Sequence, residues 1–282
     1  MWKRLVAWWN QTIRDKPYRI GTRLGHYTID SVLGMGSYGI AYRARHDVTG
    51  ELIVLKQVKP SLRRSPKGEA MQAYEQRILQ ALCHPQIPRF IERFHFQGNA
   101  FLAMSYIDGP TLEELLFDEQ AVVGESEAAR YMLQIGELVS YVHRHGIIHR
   151  DVRIPNVIWQ NGTPYLIDFG LARFCGDSPT YSAADMSSYP EEKQLKRHVE
   201  PASDLYALGH FFLFLLYTGY QPGEDQPERS WEEELTLRPE VAAMIRRLLQ
   251  IDRGYADVDE WLCDLKAIIQ SQTRKKSSTP SP

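Results

Sequence analysis

The sequence has few cysteines, little net charge and no apolar run as long as a membrane-spanning helix. Its 3 cysteines show neither paired metal-ligand spacing nor the even number of a disulfide framework, which predicts a reducing, cytoplasmic setting. The formal net charge of −2 gives no general attraction to nucleic acid, so no specific nucleic-acid partner is expected. No repeat of solenoid length is present. Disulfide scaffolds, cysteine-rich zinc modules and repeat arrays are therefore excluded.

The composition is that of a globular protein. Of the 282 residues, 43% are hydrophobic, so the chain can bury one large core or the cores of two smaller lobes. The most apolar segment, residues 211–217, is far shorter than the roughly 20 residues that cross a bilayer. We therefore expect it to belong to a buried core helix.

The most informative segment lies at residues 149–170. It reads HRDVRIPN at 149–156 and DFG at 168–170, with an apolar run between them. Asp151, Asn156 and Asp168 supply an acid that can receive a hydroxyl proton and two oxygen ligands of the kind that Mg²⁺ prefers. This combination indicates phosphate chemistry on a metal-bound nucleotide.

Three glycines upstream predict a loop that binds phosphate. Gly34, Gly36 and Gly39 follow the pattern G-x-G-x-x-G between two runs of alternating character, residues 26–32 and 41–44. Alternation on both sides predicts a strand–turn–strand hairpin, whereas in dinucleotide folds the same glycines lead from a strand into a helix. Glycine is favoured here because the backbone must pass close over phosphate groups.

A lysine on the next predicted strand has two candidate carboxylate partners. Lys56 ends an apolar run after a turn, and a helix is predicted to follow and to close at His84-Pro85. Both Glu69 and Glu75 fall within that helix. A lysine paired with a carboxylate in this place could hold phosphate groups.

These segments, in this order and spacing, resemble the eukaryotic-type protein kinase family and are closest in style to the bacterial Ser/Thr protein kinases. The resemblance implies an α+β, bilobal protein-kinase-like fold, with an antiparallel sheet and one helix in the N-lobe and a mainly helical C-lobe. It implies an ATP-dependent enzyme that transfers the γ-phosphate to Ser/Thr hydroxyls of protein substrates and that autophosphorylates. The implied cofactors are ATP and Mg²⁺, with Mn²⁺ as an alternative ion.

The resemblance gives each polar residue a role in phosphate transfer. Asp151 corresponds to the catalytic base, and Asn156 and Asp168 correspond to the metal ligands. Lys56 corresponds to the lysine that pairs the α- and β-phosphates. Arg153 stands where Ser/Thr kinases usually carry a lysine that contacts the γ-phosphate, so we group it with Asp151 and Lys56 as catalytic.

The family also favours one partner for the lysine and a set of nucleotide contacts. In the family, this helix runs from the glutamate that pairs with the lysine into an Ile-Leu pair and then His-Pro. The same order is present after Glu75, which favours Glu75 over Glu69. Backbone groups of a hinge at residues 105–107 would meet the adenine edge. The implied nucleotide-binding residues are Leu33, Gly34, Gly36, Gly39, Ala41, Lys56, Glu75, Met104, Tyr106, Thr111 and Ile158. Two of these depart from the family, since Ala41 replaces a valine and Thr111 falls where an acid often meets the ribose.

A further motif predicts support for the catalytic loop. Residues 203–209, SDLYALG, resemble the start of the central C-lobe helix. Ser203 is the expected N-cap, and Asp204 is expected to brace the backbone of the catalytic loop.

The segment before this helix matches the family less well. Its closing A-P-E motif is best matched at residues 189–191, where Glu191 would pair with Arg253. The threonine that contacts the catalytic Asp has no clear equivalent, although Ser182 or Ser187 could serve. The site for the peptide substrate is therefore the least defined part of the resemblance.

The predicted organisation has four parts: an N-terminal basic and aromatic amphipathic extension at 1–24, a kinase N-lobe at 25–104, the hinge and C-lobe at 105–270, and a disordered tail at 271–282. The apolar stripe within residues 1–18 could dock on the kinase domain or on a partner. It could also lie as an interfacial helix on the inner face of an anionic membrane.

Two other functions stay open from the sequence. One is a small-molecule kinase of the aminoglycoside or sugar type. The other is a non-catalytic, kinase-like binding module.

Overall fold

The computed structural model of the chain describes residues 15–63, 66–118, 121–178, 194–195, 198–221 and 229–277. They belong to two compact units, which we call unit 1 (Met1–Ile107) and unit 2 (Asp108–Pro282). The division falls between residues 107 and 108, whereas we predicted it between 104 and 105.

The described residues of unit 1 form an antiparallel sheet and a helix. Its strands are β1 (Arg23–Leu24), β2 (Tyr27–Met35), β3 (Gly39–His46), β4 (Leu52–Val58), β5 (Phe90–Phe96) and β6 (Asn99–Ser105), and its helix is α1 (Pro66–Ala81). The strand order is β1-β2-β3-β4-β6-β5, and every neighbouring pair is antiparallel. A 3-10 turn, Pro60–Leu62, leads from β4 into α1. Within the described part of unit 1, the predicted sheet and its helix are confirmed.

Alternation along the strands builds the core of unit 1. In β3, Ile40, Tyr42 and Ala44 are fully buried, and the residues between them are not. Successive side chains of a strand point to opposite faces, so one face of the sheet is apolar. The core residues are Leu24, Tyr27, Ile29, Ile40, Tyr42, Ala44, Ile53, Leu55, Phe101 and Ala103. This core fixes the strand that carries Lys56.

Unit 2 is mainly helical, as predicted. Its helices are α2 (Leu112–Asp118), α3 (Glu125–Arg144), α4 (Pro201–Tyr217), α5 (Trp231–Glu234), α6 (Pro239–Leu248) and α7 (Val258–Ser277). Its strands are β7 (Ile147–Ile148), β8 (Val157–Gln160), β9 (Thr163–Leu166) and β10 (Arg173–Phe174), which form the antiparallel pairs β7–β10 and β8–β9. A 3-10 turn, Ile154–Asn156, precedes β8.

Helix α4 is the buried centre of unit 2. Most of its side chains are buried, including the run from Ser203 to Gly209. Helix α3 packs on α7 at Gly136, where an added Cβ would meet the ring of Trp261. Among the described residues, no helix is both long enough and apolar enough to span a membrane.

Two predicted boundaries differ from the structure. Helix α4 begins at Pro201, with Glu200 at the N-cap position, so Ser203 lies inside the first turn and is not the cap. Proline favours the first helical position because it has no N–H to leave unpaired. Helix α7 continues to Ser277, so it includes the first part of the tail that we predicted to be disordered. We predicted disorder from the polar composition of this segment. Gln, Arg and Lys are nevertheless good helix formers, so a polar segment can continue a helix.

Candidate active site

The lysine of β4 is paired with a carboxylate of α1. The Lys56 Nζ lies in an ion pair with Glu75 Oε1, and Glu75 is buried. The competing Glu69 instead lies 3.6 Å from the His95 Nε2. Helix α1 makes a second contact with Lys56, because the Gln72 Nε2 donates to the Lys56 carbonyl at 2.8 Å. The structure therefore places Lys56 with Glu75, as the resemblance implied.

The glycine hairpin joins β2 to β3. The Gly36 N–H donates to the Gly39 carbonyl at 2.9 Å, and the Lys59 N–H donates to the Tyr38 carbonyl at 3.0 Å. A Cβ at Gly39 would come within 2.8 Å of the Gln57 carbonyl oxygen, so only glycine fits there. Gly34 near the end of β2 and Gly36 in the turn are both exposed, which leaves their backbone able to approach a ligand.

The predicted adenine segment follows β6. Met104 is buried and lies opposite Val54 of β4. The Ser105 N–H donates to the Arg89 carbonyl at 2.9 Å, and the Tyr106 N–H donates to the Leu52 carbonyl at 3.4 Å. These two amides are engaged within the sheet, so an amide contact to adenine would fall on a later residue.

Thr111 has a local role that we did not predict. Its hydroxyl and its N–H both donate to Glu114 Oε2, at 2.9 and 2.8 Å, and the Glu114 N–H donates back to the hydroxyl at 3.2 Å. This is the reciprocal pattern of a capping box at the start of α2. The hydroxyl is thus explained without the ribose contact that we expected. Thr111 also forms a β-bridge with the buried Ile158.

The catalytic loop of unit 2 is held by Asp204. Its carboxylate accepts the His149 N–H at 2.8 Å and the Arg150 N–H at 2.7 Å. The same carboxylate lies 2.9 Å from His143 Nε2, and Asp204 is fully buried. The expected brace is therefore present in the structure, and His143 is a member of it that the sequence did not reveal.

Asp151 and Asn156 are bonded to each other across the loop. The Asn156 Nδ2 donates to both the main-chain carbonyl and the Oδ2 of Asp151, each at 2.9 Å. The Arg153 Nε lies 3.4 Å from the Asp151 Oδ2, and the arginine side chain is largely exposed. The loop thus presents a carboxylate beside an accessible positive charge.

Asp168 lies in a turn whose backbone is unusual. Its Oδ1 accepts the Gly170 N–H at 3.3 Å, and its φ is 64°, in the left-handed region. Arg150 also has a positive φ, of 66°. Phe169 is buried with its ring 4.6 Å from that of His149, so the turn is fixed to the catalytic loop.

The loop residues fit a divalent ion bound together with a nucleotide. Because the Asn156 nitrogen faces Asp151, its Oδ1 is the atom suited to a metal, and Asp168 supplies a carboxylate. Within the part of the chain that the structure describes, no group of three or more His, Cys, Asp or Glu side chains forms a metal cluster. A divalent ion can be held by so few protein ligands when water and substrate phosphates complete its coordination.

Burial sets the charge states beneath the loop. Burial lowers the pKa of the His149 imidazole below its ordinary 6.5, so the ring is neutral. Burial opposes ionisation of Asp204, but the hydrogen bond and charge of His143 outweigh it and keep the pKa of this carboxyl below its usual value. The loop is therefore anchored on a buried, ionised carboxylate.

Acidification is expected to destabilise the protein through His149. The folded chain keeps this ring neutral, whereas the unfolded chain takes up a proton below about pH 6.5. The unfolded state then binds more protons, so the free energy of unfolding falls as pH drops, by up to about 1.4 kcal/mol per pH unit for one group. Thermal unfolding at a series of pH values checks this, and His149→Phe should show a shallower slope. Equal slopes would contradict it.

Several predicted residues lie outside the described residues. They are residues 1–14 of the N-terminal extension, Ser182, Ser187 and the motif at 189–191 with Glu191. The predicted ion pair of Glu191 with Arg253 therefore stays a prediction. The boundaries of the N-terminal extension stay predictions as well.

Comparison with known proteins places the chain in a family. The protein kinase domain family matches residues 27–276. The chain is 36% identical to "Probable serine/threonine-protein kinase YbdM" of Bacillus subtilis, over 92% of this chain and 96% of the relative. It is 29% identical to "Probable serine/threonine-protein kinase SCO3848" of Streptomyces coelicolor, over 92% of this chain and 42% of that protein. These matches show that the chain belongs to the protein kinase family.

A solved structure supports the fold. The kinase domain of Mycobacterium tuberculosis PknI superposes with a TM-score of 0.64 at 21% identity, covering 89% of this chain and 99% of that domain. The protein is thus a protein kinase in both sequence and fold. The alternatives of a small-molecule kinase and a non-catalytic module receive no support from these relatives.

Proposed function

We propose that this protein is a bacterial Ser/Thr kinase that transfers the γ-phosphate of Mg²⁺-bound ATP to hydroxyls of proteins, itself included. The observation that carries the proposal is the bonded pair of Asp151 and Asn156 on a loop anchored by Asp204. This pair combines a carboxylate for the acceptor hydroxyl with an amide oxygen for a metal. The names of the bacterial relatives support the choice of Ser/Thr.

In unit 1, Lys56 and the glycine hairpin are proposed to hold the phosphates. The ion pair with Glu75 fixes the lysine side chain, so its ammonium does not have to be ordered when ATP binds. The hairpin contributes backbone N–H groups close to the phosphate oxygens. Positioning of this kind supplies most of the rate in phosphate transfer, because the transition state is loose.

In unit 2, Asp151 is proposed to orient the acceptor hydroxyl and to take its proton. Asn156 holds the Asp151 side chain by its amide, which fixes the direction of the carboxylate. Asp168 and the Asn156 Oδ1 would hold Mg²⁺, or Mn²⁺ in its place. A divalent ion there would neutralise charge on the phosphates. Arg153 adds a fixed positive charge beside the base, where it could meet the γ-phosphate.

The adenine contacts are proposed on the segment after β6 and on the glycine hairpin. Since Ser105 and Tyr106 use their amides within the sheet, we assign the amide contact to Ile107. Apolar contacts to the base are assigned, within unit 1, to Leu33, Ala41, Met104 and Tyr106. Met104 is buried at the end of β6 and would limit how far the adenine base can enter beside this segment.

The transfer reaction tests the proposal directly. The wild-type chain with Mg²⁺ and labelled ATP should phosphorylate itself and a generic protein, and mass spectrometry should map the label to Ser and Thr. Lys56→Met should lower the rate by about a hundredfold, because it removes a charge from the phosphates. Lys266→Met, at an exposed ion pair with Glu137, is the control and should keep full activity. Label on tyrosine alone, or equal rates for the two variants, would contradict the proposal.

We further propose a cytoplasmic protein, because its 3 cysteines do not suggest a disulfide framework. The basic and aromatic residues within 1–18 motivate peripheral contact with an anionic membrane or with a partner protein. Cell fractionation followed by co-sedimentation of the full chain with anionic liposomes would separate these locations.

A further inference from the structure

A short segment before the sheet is bonded to the turn that precedes α1. Asp15 is 3% exposed, although it stands between polar residues far from any motif. Its Oδ1 accepts the Ser61 N–H and its Oδ2 accepts the Ser61 hydroxyl, both at 2.8 Å. A buried carboxylate is costly unless hydrogen bonds satisfy it, and bonds to an ionised group are about twice as strong as neutral ones. Asp15 therefore makes a specific attachment to this turn.

The turn that Asp15 holds connects the phosphate-binding parts of unit 1. It is the 3-10 turn Pro60–Leu62, which follows Lys56 along β4 and leads into α1. The residue just before it, Lys59, donates its N–H to the Tyr38 carbonyl of the glycine hairpin. A shift of the turn would thus be felt by the hairpin as well as by the helix.

Helix α1 is seated tightly on the same turn. A Cβ added at Gly68 would come within 2.7 Å of Val58 Cγ1 and 3.3 Å of Leu62 Cβ. The backbone of α1 at Gly68 therefore packs against Val58 and Leu62 with no room for a methyl group. Because this contact is close-packed, a displacement of residues 60–62 would displace the first turns of α1 as well. About two turns further along, the same helix carries Glu75.

A second anchor keeps the segment in place. The Tyr18 N–H donates to the Tyr42 hydroxyl at 3.1 Å, and that hydroxyl donates to the buried Gln57 Oε1 at 2.8 Å. The Tyr18 hydroxyl accepts from Asn99 Nδ2 at 2.9 Å. Its ring packs against the core of the sheet. The segment is thus attached to unit 1 at both Asp15 and Tyr18.

We propose that Asp15 is a positioning residue for phosphate transfer, which acts through the 60–62 turn to hold α1 where Glu75 pairs with Lys56. The inference rests on the proposed function, because it takes this ion pair as the phosphate clamp. Asp15 itself touches neither the nucleotide nor the acceptor.

The kinetic consequence follows from a two-state helix. Without the attachment, α1 spends more time in positions where Glu75 does not hold Lys56, and only the paired state binds ATP well. The apparent affinity for ATP falls by the fraction of paired state, whereas saturating ATP draws the helix back. KM for ATP should therefore rise while kcat changes little. Simple loss of folded enzyme would lower the maximal rate and leave KM unchanged.

The test compares substitutions in the full chain. Asp15→Ala should raise KM for ATP by about fivefold to tenfold, with kcat within about twofold of wild type. Asp15→Asn keeps one acceptor for the Ser61 N–H, and Ser61→Ala removes only the hydroxyl bond, so both should shift KM in the same direction by less. Lys16→Ala and Glu51→Ala, at exposed side chains of unit 1, are the controls and should match wild type.

Hydrogen exchange gives an independent readout that does not depend on turnover. Amides of residues 66–81 should exchange faster in Asp15→Ala than in Glu51→Ala, and Mg²⁺-ATP should reduce the difference. If Asp15→Ala does not fold, Asp15→Asn and Ser61→Ala carry the same comparison. Unchanged KM and unchanged exchange in folded variants would overturn the inference. If instead wild type and Lys56→Met transfer phosphate equally, the proposed function itself fails.

Discussion

Replacing Asp168 by alanine or asparagine is expected to abolish phosphate transfer and to leave the fold intact. The carboxylate is the charged ligand that we assign to the metal, and its removal should lower the rate by about a thousandfold or more. Asp168→Asn keeps a side chain that tolerates the left-handed backbone and can still accept the Gly170 N–H. Loss in both variants would therefore report the missing charge. Transfer from labelled ATP measures it.

The control for this pair is Asp177→Asn. Asp177 is exposed and follows β10 along the chain, so this exchange removes a negative charge at a position other than the proposed ligand. It should retain wild-type activity, and all three variants should unfold within a few degrees of wild type. If Asp168→Asn transferred phosphate at the wild-type rate, Asp168 would not be a metal ligand.

Asp204→Ala is expected to damage both stability and catalysis. It leaves two buried backbone N–H groups and a histidine without their acceptor, and breaking a buried pair of this kind costs about 3–5 kcal/mol. That is a large share of the roughly 5–15 kcal/mol by which folded domains are stable. The loop that carries Asp151 would lose its anchor. A misplacement of a catalytic group by about 1 Å costs about a hundredfold in rate.

Chemical unfolding and transfer assays on one series of variants separate these two effects. Asp204→Asn retains one acceptor oxygen, so it should fall between Asp204→Ala and wild type in both measurements. Glu137→Gln removes an exposed carboxylate of unit 2 and should change the free energy of unfolding by less than about 1 kcal/mol. Wild-type stability in Asp204→Ala would mean that the carboxylate does not hold the loop.

Local spacing was enough to predict the residues that we assign to phosphate chemistry. The segments at 149–156 and 168–170 are separated only by the β8–β9 hairpin, so their relative placement depends on short-range structure. The pairing of Lys56 with Glu75 needed one further step, since two carboxylates lie on α1 and spacing alone did not separate them. Burial decides between them, because Glu75 is on the inner face and Glu69 meets His95.

Helix ends were harder, although their signals are present in the sequence. Thr111 and Glu114 have the spacing of a capping box, but we considered Thr111 only as a ribose contact. At α4 we chose Ser203 as the cap and overlooked Pro201, which takes the first helical position. At α4 the backbone rule for proline was right, whereas at Thr111 the capping box was missed and the ribose contact stays a prediction.

Asp15 shows what no local pattern could reveal. The first four strands separate Asp15 from its partner Ser61 along the chain, and an aspartate before Lys-Pro has the appearance of an exposed loop residue. Only the folded sheet brings the two together. His143 is a similar case, since its contact with Asp204 joins two helices that are distant in sequence.

The positive φ angles of Arg150 and Asp168 have a consequence for protein engineering. Each non-glycine residue in the left-handed region raises the energy of the folded state by about 1 kcal/mol. Glycine at Asp168 would relieve that strain, and a search for thermostable variants that scored stability alone would favour it. Arg150 is different, because its side chain is buried and donates to the Leu171 carbonyl, so its removal would cost more than the strain relieved. The same exchange at Asp168 would remove the charged side chain. The loop is therefore where selection for heat resistance and selection for turnover pull this protein in opposite directions.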